Sequence, residues 1–87
     1  MLSFYRVNKP VKRTYYRDDD FLRKMGEKIR QLRTDKGLTQ VDLAFRCNDI
    51  DYSQINRVEL GKVNFSVSFL TLVAKALEVD PVELFKV

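Results

Sequence analysis

From residue 21 onward the apolar positions of this chain fall at helical spacing, and short polar clusters interrupt them. Leu22, Met25, Ile29 and Leu32 follow one another at i, i+3, i+7 and i+10, which predicts a helix over 21–36 with one apolar face. Asp18, Asp19 and Asp20 precede it, where acids complement the positive end of a helix dipole, and Asp20 is the candidate N-cap. Gly37 stops this helix by adopting the left-handed conformation that a side chain disfavours.

Two shorter helices come next. Thr39 caps the first, and Asp42 three residues later completes a box in which side chains satisfy free backbone N–H groups. This helix ends near Cys47, because Asn48 and Asp49 are turn formers that tolerate positive φ, and Ile50 plugs the turn into the core. Asp51 caps the following helix, with Gln54 at its third position reaching back, and Gly61 ends it. Two capped helices separated by a tight turn are the arrangement that lets a protein lay one helix in the DNA major groove.

A fourth helix, capped by Ser66 or Ser68 and running to about Glu78, turns Leu70, Val73, Ala74 and Leu77 inward. Asp80-Pro81 starts a fifth, with Leu84 and Phe85 as its apolar anchors. The fourth helix also carries a second apolar stripe, Phe65, Phe69, Leu72 and Ala76, at i, i+4, i+7 and i+11. Two apolar faces need two partners. One is the domain core; for the other, three partners stay open: a second subunit joined by Val79, Val82, Phe85 and Val87, the chain's own amino-terminal arm, or more of the internal core. Phe65, Phe69, Leu72 and Phe85 are therefore the candidate dimer-interface residues. In the arm, Leu2, Phe4 and Val7 form either a short strand ended by Pro10 or an extended segment.

The pattern thus predicts an all-α chain of five short helices over 20–87, preceded by an arm over 1–19. An apolar fraction of 45% with three Gly and two Pro in 87 residues suits one small helical domain. A domain this small gains from burying further apolar area against a second copy, so a homodimer is expected. Charge changes the picture more. Residues 1–17 hold Arg6, Lys9, Lys12, Arg13 and Arg17 with no acid, while the rest of the chain sets eleven bases against twelve acids. The basic excess belongs to the arm and suits a polyanion, with Lys9, Lys12, Arg13 and Arg17 as its candidate nucleic-acid contacts.

Cys47, the single cysteine, lies in an apolar helical pattern and reads as a small core residue of a reduced, cytoplasmic protein. No apolar run approaches the ~18 residues that span a membrane, and no signal-peptide core follows Met1, so no membrane partner is expected. Without His and with one Cys, a metal site of the usual nitrogen and sulfur type is excluded. There is no Gly-rich phosphate loop and no carboxylate pair placed for catalysis, so neither catalytic residues nor a cofactor are expected.

These residues, in this order, resemble the Cro/C1-type (Xre-like) helix-turn-helix regulators of phage and bacteria. The resemblance runs from Leu22 to Leu84 through Gly26, Ile29-Arg30-Gln31-Leu32-Arg33, Gly37-Leu38-Thr39-Gln40, Leu43-Ala44, Ile55, Val58-Glu59, Gly61-Lys62, Leu70, Val73-Ala74 and Ala76-Leu77. It implies a compact, lambda-repressor-like five-helix domain whose third helix enters the major groove of double-stranded DNA. It further implies that Gln40 contacts the phosphate backbone and that Arg33 and Glu59 form a buried ion pair between the first and third helices. The span from Ala44 to Ile55 is one residue longer than the common pattern of that family, and Phe65 stands where Pro is frequent.

With Ile55 and Val58 turned inward, a helical wheel sets Ser53, Asn56, Arg57 and Leu60 on the opposite face and Tyr52 at its leading edge. Asn56 can offer an amide pair to adenine, Arg57 a fork to guanine or a phosphate contact, and Tyr52 a phenolic hydroxyl to phosphate or a ring to a thymine methyl. The candidate DNA-binding set is Gln40, Tyr52, Ser53, Asn56, Arg57, Lys62 and Asn64. The expected function is sequence-specific transcription regulation on a two-fold operator. A toxin-binding antitoxin of a toxin-antitoxin pair, a restriction-modification controller and an interaction adaptor that has kept the fold are the alternatives.

Overall fold

The computed structural model describes residues 15–87. Four α-helices, α1 (Asp19–Asp35), α2 (Gln40–Arg46), α3 (Tyr52–Glu59) and α4 (Val67–Ala76), are followed by a 3-10 helix over Pro81–Phe85. No strand occurs among the described residues. The all-α class and the order of five helical elements are as expected, with one correction: the last is a 3-10 turn and not an α-helix. Asp80 caps it by accepting the Val82 N–H at 2.9 Å, and Pro81 fits its first turn. The strand expected near Leu2–Val7 and the arm bases Lys9, Lys12 and Arg13 lie outside the described residues.

The start of α1 also differs from expectation. Its N-cap is Asp18, which accepts the Phe21 N–H at 3.0 Å, not Asp20. Three consecutive aspartates offer equivalent caps by composition. Choosing the first leaves Asp19 and Asp20 in the first turn, where Asp20 pairs with Arg23 and lies 3.9 Å from Lys24. At α3, Asp51 holds the N-cap position but makes no capping bond from its side chain. Its carboxylate accepts the Ser53 hydroxyl at 2.6 Å instead, and the Gln54 side chain does not reach back.

α1, α3 and α4 end in the same closure, in which two N–H groups beyond the helix return to carbonyls of its last turn. The pairs are Leu38 to Arg33 and Gly37 to Thr34, Lys62 to Arg57 and Gly61 to Val58, and Val79 to Ala74 and Glu78 to Lys75, all at 2.9–3.1 Å. The turning residue is left-handed each time: Gly37 at φ 71°, Gly61 at φ 75° and Glu78 at φ 60°. Glu78 does with a side chain what glycine does elsewhere.

The core gathers Met25 and Ile29 of α1, Leu43 and Ala44 of α2, Ile55 and Val58 of α3, Leu70, Val73 and Ala74 of α4, with Cys47, Leu77 and Leu84. α1 crosses the end of α3 backbone against backbone. A Cβ on Gly26 would collide with the Val58 carbonyl and lie 2.6 Å from that of Glu59, and a Cβ on Gly61 would lie 2.7 Å from the Arg23 Cα. This close approach fixes how α3 is presented.

The second apolar stripe is largely absorbed by the same core. Phe65, Phe69 and Leu72 are half-buried against it, Ala76 is buried, and the Phe65 and Phe69 rings pack at 6.1 Å. The loop before α4 folds Phe65 back, which the periodicity of the helix alone does not reveal. Of the two anchors expected in the last element, Leu84 is buried, whereas Phe85 stays half-exposed and stacks on Phe21 at 6.2 Å.

Candidate nucleic-acid interface

α2 begins with the expected capping box: Asp42 N–H donates to Thr39 Oγ1 at 3.0 Å, and Thr39 N–H donates to Asp42 Oδ2 at 2.9 Å. The Thr39 amide holds the Asp42 carboxyl below the usual carboxylate range, aided by the Thr39 hydroxyl. Between α2 and α3, Asn48 and Asp49 are both left-handed, at φ 59° and 55°. Asp49 N–H reaches Phe45 O at 3.0 Å and Ile50 N–H reaches Ala44 O at 3.1 Å, so this turn accommodates the additional residue and seats Ile50 against the core. Asn and Asp are among the few side chains that accept this geometry.

A polar relay fixes α3 from behind. The Arg33 guanidinium grips Glu59 with two bonds, Nε to Oε2 at 2.6 Å and Nη2 to Oε1 at 3.0 Å, and its Nη1 donates to the Leu38 carbonyl at 2.8 Å. Both residues are buried. The ion pair that the resemblance implied therefore joins α1, the α1–α2 turn and α3. Gln40 extends the relay: its Nε2 donates to Glu59 Oε1 at 3.0 Å and to Asn56 Oδ1 at 3.3 Å. No buried side-chain polar atom is left without a partner among the described residues.

On the outward side of α3, Tyr52, Asn56, Arg57 and Leu60 are exposed. Ser53 is half-buried, and its hydroxyl is committed to Asp51, whose carboxyl that bond holds below the usual range. Lys62 and Asn64 are exposed in the following loop. Asn64 Nδ2 donates to the Tyr16 carbonyl at 3.0 Å, which ties the residues preceding α1 to that loop. Arg17, the arm base within the described span, binds Asp19 at 3.0 Å. Gln40 and Asn56 are thus brought together, while Arg57 lies on the other flank, in a concavity of about 260 Å³ with Gln54, Val58, Val63, Phe65, Ser66 and Phe69.

Three further polar residues stand beside this face. Arg23 and Arg30 of α1 line a cleft of about 590 Å³ with Gln40, Asn56 and Leu60, and Gln54 is exposed on α3. Their signal in the sequence is the spacing of Arg23 and Arg30 around Gly26 on the α1 face turned to α3. Burial pushes the Cys47 thiol up, which disfavours a reactive thiolate. Among the described residues no group of potential metal ligands occurs, and no helix is long and apolar enough to cross a membrane.

A capped α2, a short turn and an α3 with one polar exposed face form a helix-turn-helix, and a helix-turn-helix family model matches residues 29–84. The chain belongs to the Cro/C1-type helix-turn-helix family. The control protein C.BamHI of Bacillus amyloliquefaciens is 38% identical over 60 residues, covering 68% of this chain and 73% of that protein. The restriction-modification controller protein C.AhdI of Aeromonas hydrophila superposes with a TM-score of 0.71 at 44% identity, over 74% of this chain and 96% of that one. The controller protein C.Esp1396I, in the structure of its tetramer with its natural 35 base-pair operator, gives a TM-score of 0.69 at 36% identity, over 76% and 86% of the two chains.

Proposed function

We propose that this protein is a sequence-specific, DNA-binding transcription regulator of the restriction-modification controller kind, acting as a homodimer on a two-fold operator. The observation that carries this reading is the exposed polar face of α3, held beside the start of α2 by the buried Arg33–Glu59 pair. In a helix-turn-helix that face is the one that enters the major groove. Tyr52, Asn56 and Arg57 meet base edges or phosphates there, and the Ser53 hydroxyl lies at its margin. The first N–H groups of α2, with Lys62 and Asn64, hold the phosphates on either side. Similarity to C.BamHI, C.AhdI and C.Esp1396I favours the controller reading over an antitoxin.

The arm, residues 1–19, adds sequence-independent affinity through Lys9, Lys12, Arg13 and Arg17. The Asn64–Tyr16 bond holds the last residues of the arm beside the α3–α4 loop. Such a regulator works in the cytoplasm by occupancy, blocking or recruiting polymerase at the promoter it binds. Selection of bound duplexes from a random pool tests the reading. The expected result is a palindrome whose half-sites lie about one helical turn apart. Absence of any retained duplex even at low salt overturns it.

A further inference from the structure

An apolar hollow stands open where the chain leads into α1. Asn64 Nδ2 donates to the Tyr16 carbonyl at 3.0 Å, so the described chain, which begins at Tyr15, starts against the α3–α4 loop. The two neighbours of Asn64, Val63 and Phe65, line a concavity of about 260 Å³ together with Val58 and Phe69, and the exposed Gln54 and Arg57 complete its wall. Val63, Phe65 and Phe69 are half-buried against the core, and the surface they keep borders this space. Stable association of two proteins covers about 800 Å² on each partner, so a second copy needs far more surface than the hollow offers. One or two side chains of an extended segment fill it.

We propose that Leu2 and Phe4 of the same chain dock in this hollow and close residues 5–15 into a basic loop beside α3. Residues 1–14 lie outside the described structure; at about 3.3 Å per extended residue they reach roughly 46 Å, so their beginning can return to a site that borders their end. Leu2 and Phe4 stand two positions apart and share one face of an extended segment. Charge selects the same stretch. Residues 1–17 hold no acid to offset Arg57, and residues 1–5 have no charged side chain, whereas the bases begin at Arg6. The loop so closed holds Arg6, Lys9, Lys12 and Arg13. Pinning it at both ends reduces the freedom those bases lose on meeting a polyanion. The docking goes beyond the DNA-reading function proposed above and does not need it; only the gain in duplex affinity rests on that reading.

Nuclear Overhauser contacts in the full chain, without DNA, test the docking. The expected result is contact of the Phe4 ring with the Val63 methyl groups and the Phe69 ring, lost in Leu2→Ser/Phe4→Ser. A half-filtered spectrum of mixed labelled and unlabelled protein separates contacts within one chain from contacts between two. Binding to random duplex over a series of salt concentrations then reads the loop. Leu2→Ser/Phe4→Ser is expected to weaken binding about threefold to tenfold with the salt slope unchanged, because every base is retained. Lys9→Gln/Lys12→Gln instead lowers the slope by about two. The docking is overturned if Phe4 makes no contact with the hollow, or if its contacts occur only between chains, which gives the hollow to the arm of a second copy. Unchanged affinity of Leu2→Ser/Phe4→Ser overturns the role of the loop. If wild type retains no duplex at any salt, the function proposed above fails, and the Phe4 contacts alone decide the docking.

Discussion

Arg33 and Glu59 are the most consequential single residues in this fold. With side chains 10% and 3% exposed, each owes its tolerance of the interior to the other. Replacing both with apolar residues is compatible with stability, but removing one strands a charge in the interior. Glu59→Ala is therefore expected to lower unfolding free energy by about 3–5 kcal/mol, a large part of the total for a small domain, as read by urea denaturation. Asp42 belongs to the same scale but depends on pH. Its folded-state pKa lies below the ordinary carboxylate value, so its stabilisation is fully present above that value and lost as pH falls through the lowered one. Wild type should exceed Asp42→Asn in stability at neutral pH, and the gap should close on acidification through and below the ordinary carboxylate range. A gap that persists there removes the Thr39 box as its cause. Both roles had sequence cues, through resemblance and through cap spacing respectively. For Gln40 the resemblance pointed to phosphate, and its bonds to Asn56 and Glu59, sixteen and nineteen residues away, had no local cue.

At the scale of elements, periodicity and capping signals together located every helical element, and the differences fall at helix ends and in the type of the last element. Asp18 displaced Asp20 as the cap because three adjacent aspartates are alike until the chain before them has a direction. The fifth element tightened into a 3-10 turn, and Asp51 gave its carboxylate to Ser53 instead of to backbone. The close crossing of α1 and α3 was visible only as a glycine inside a helix, a residue that local propensity argues against. Gly26→Ala should therefore destabilise the fold by about 1–3 kcal/mol although alanine is the better helix former, since carbonyls of α3 occupy the space. Thermal unfolding checks this, and a rise in Tm would contradict the crossing. The closure of α4 gives the opposite case. Glu78 carries a side chain at φ 60°, so Glu78→Gly should stabilise by about 0.5–1 kcal/mol and raise Tm by several degrees.

For the whole molecule, the open question in the sequence was where the second apolar stripe goes. Most of it goes inward: Phe65, Phe69 and Leu72 close over the core and keep only part of their surface for another chain. The exposed apolar surface near the carboxyl end is instead Val82, Phe85 and Val87. If the homodimer forms there, Phe85→Asp should shift the mass in solution toward the monomer with little loss of fold, whereas Phe69→Asp disturbs the core as well. An unchanged dimer mass for Phe85→Asp takes this residue out of the interface.

Helix positions, two of the three left-handed glycine and glutamate closures, the Thr39–Asp42 box and the polar face of α3 all follow from local rules. Each depends on residues within about one or two turns of one another, where spacing and side-chain type are sufficient. The assembly of Arg33, Gln40, Asn56 and Glu59 into one relay, the contact of Gly26 with α3 and the inward fate of Phe65 and Phe69 required the fold. They depend on distances between helices that no periodicity encodes, and those distances are set by how closely backbones approach once the core is packed.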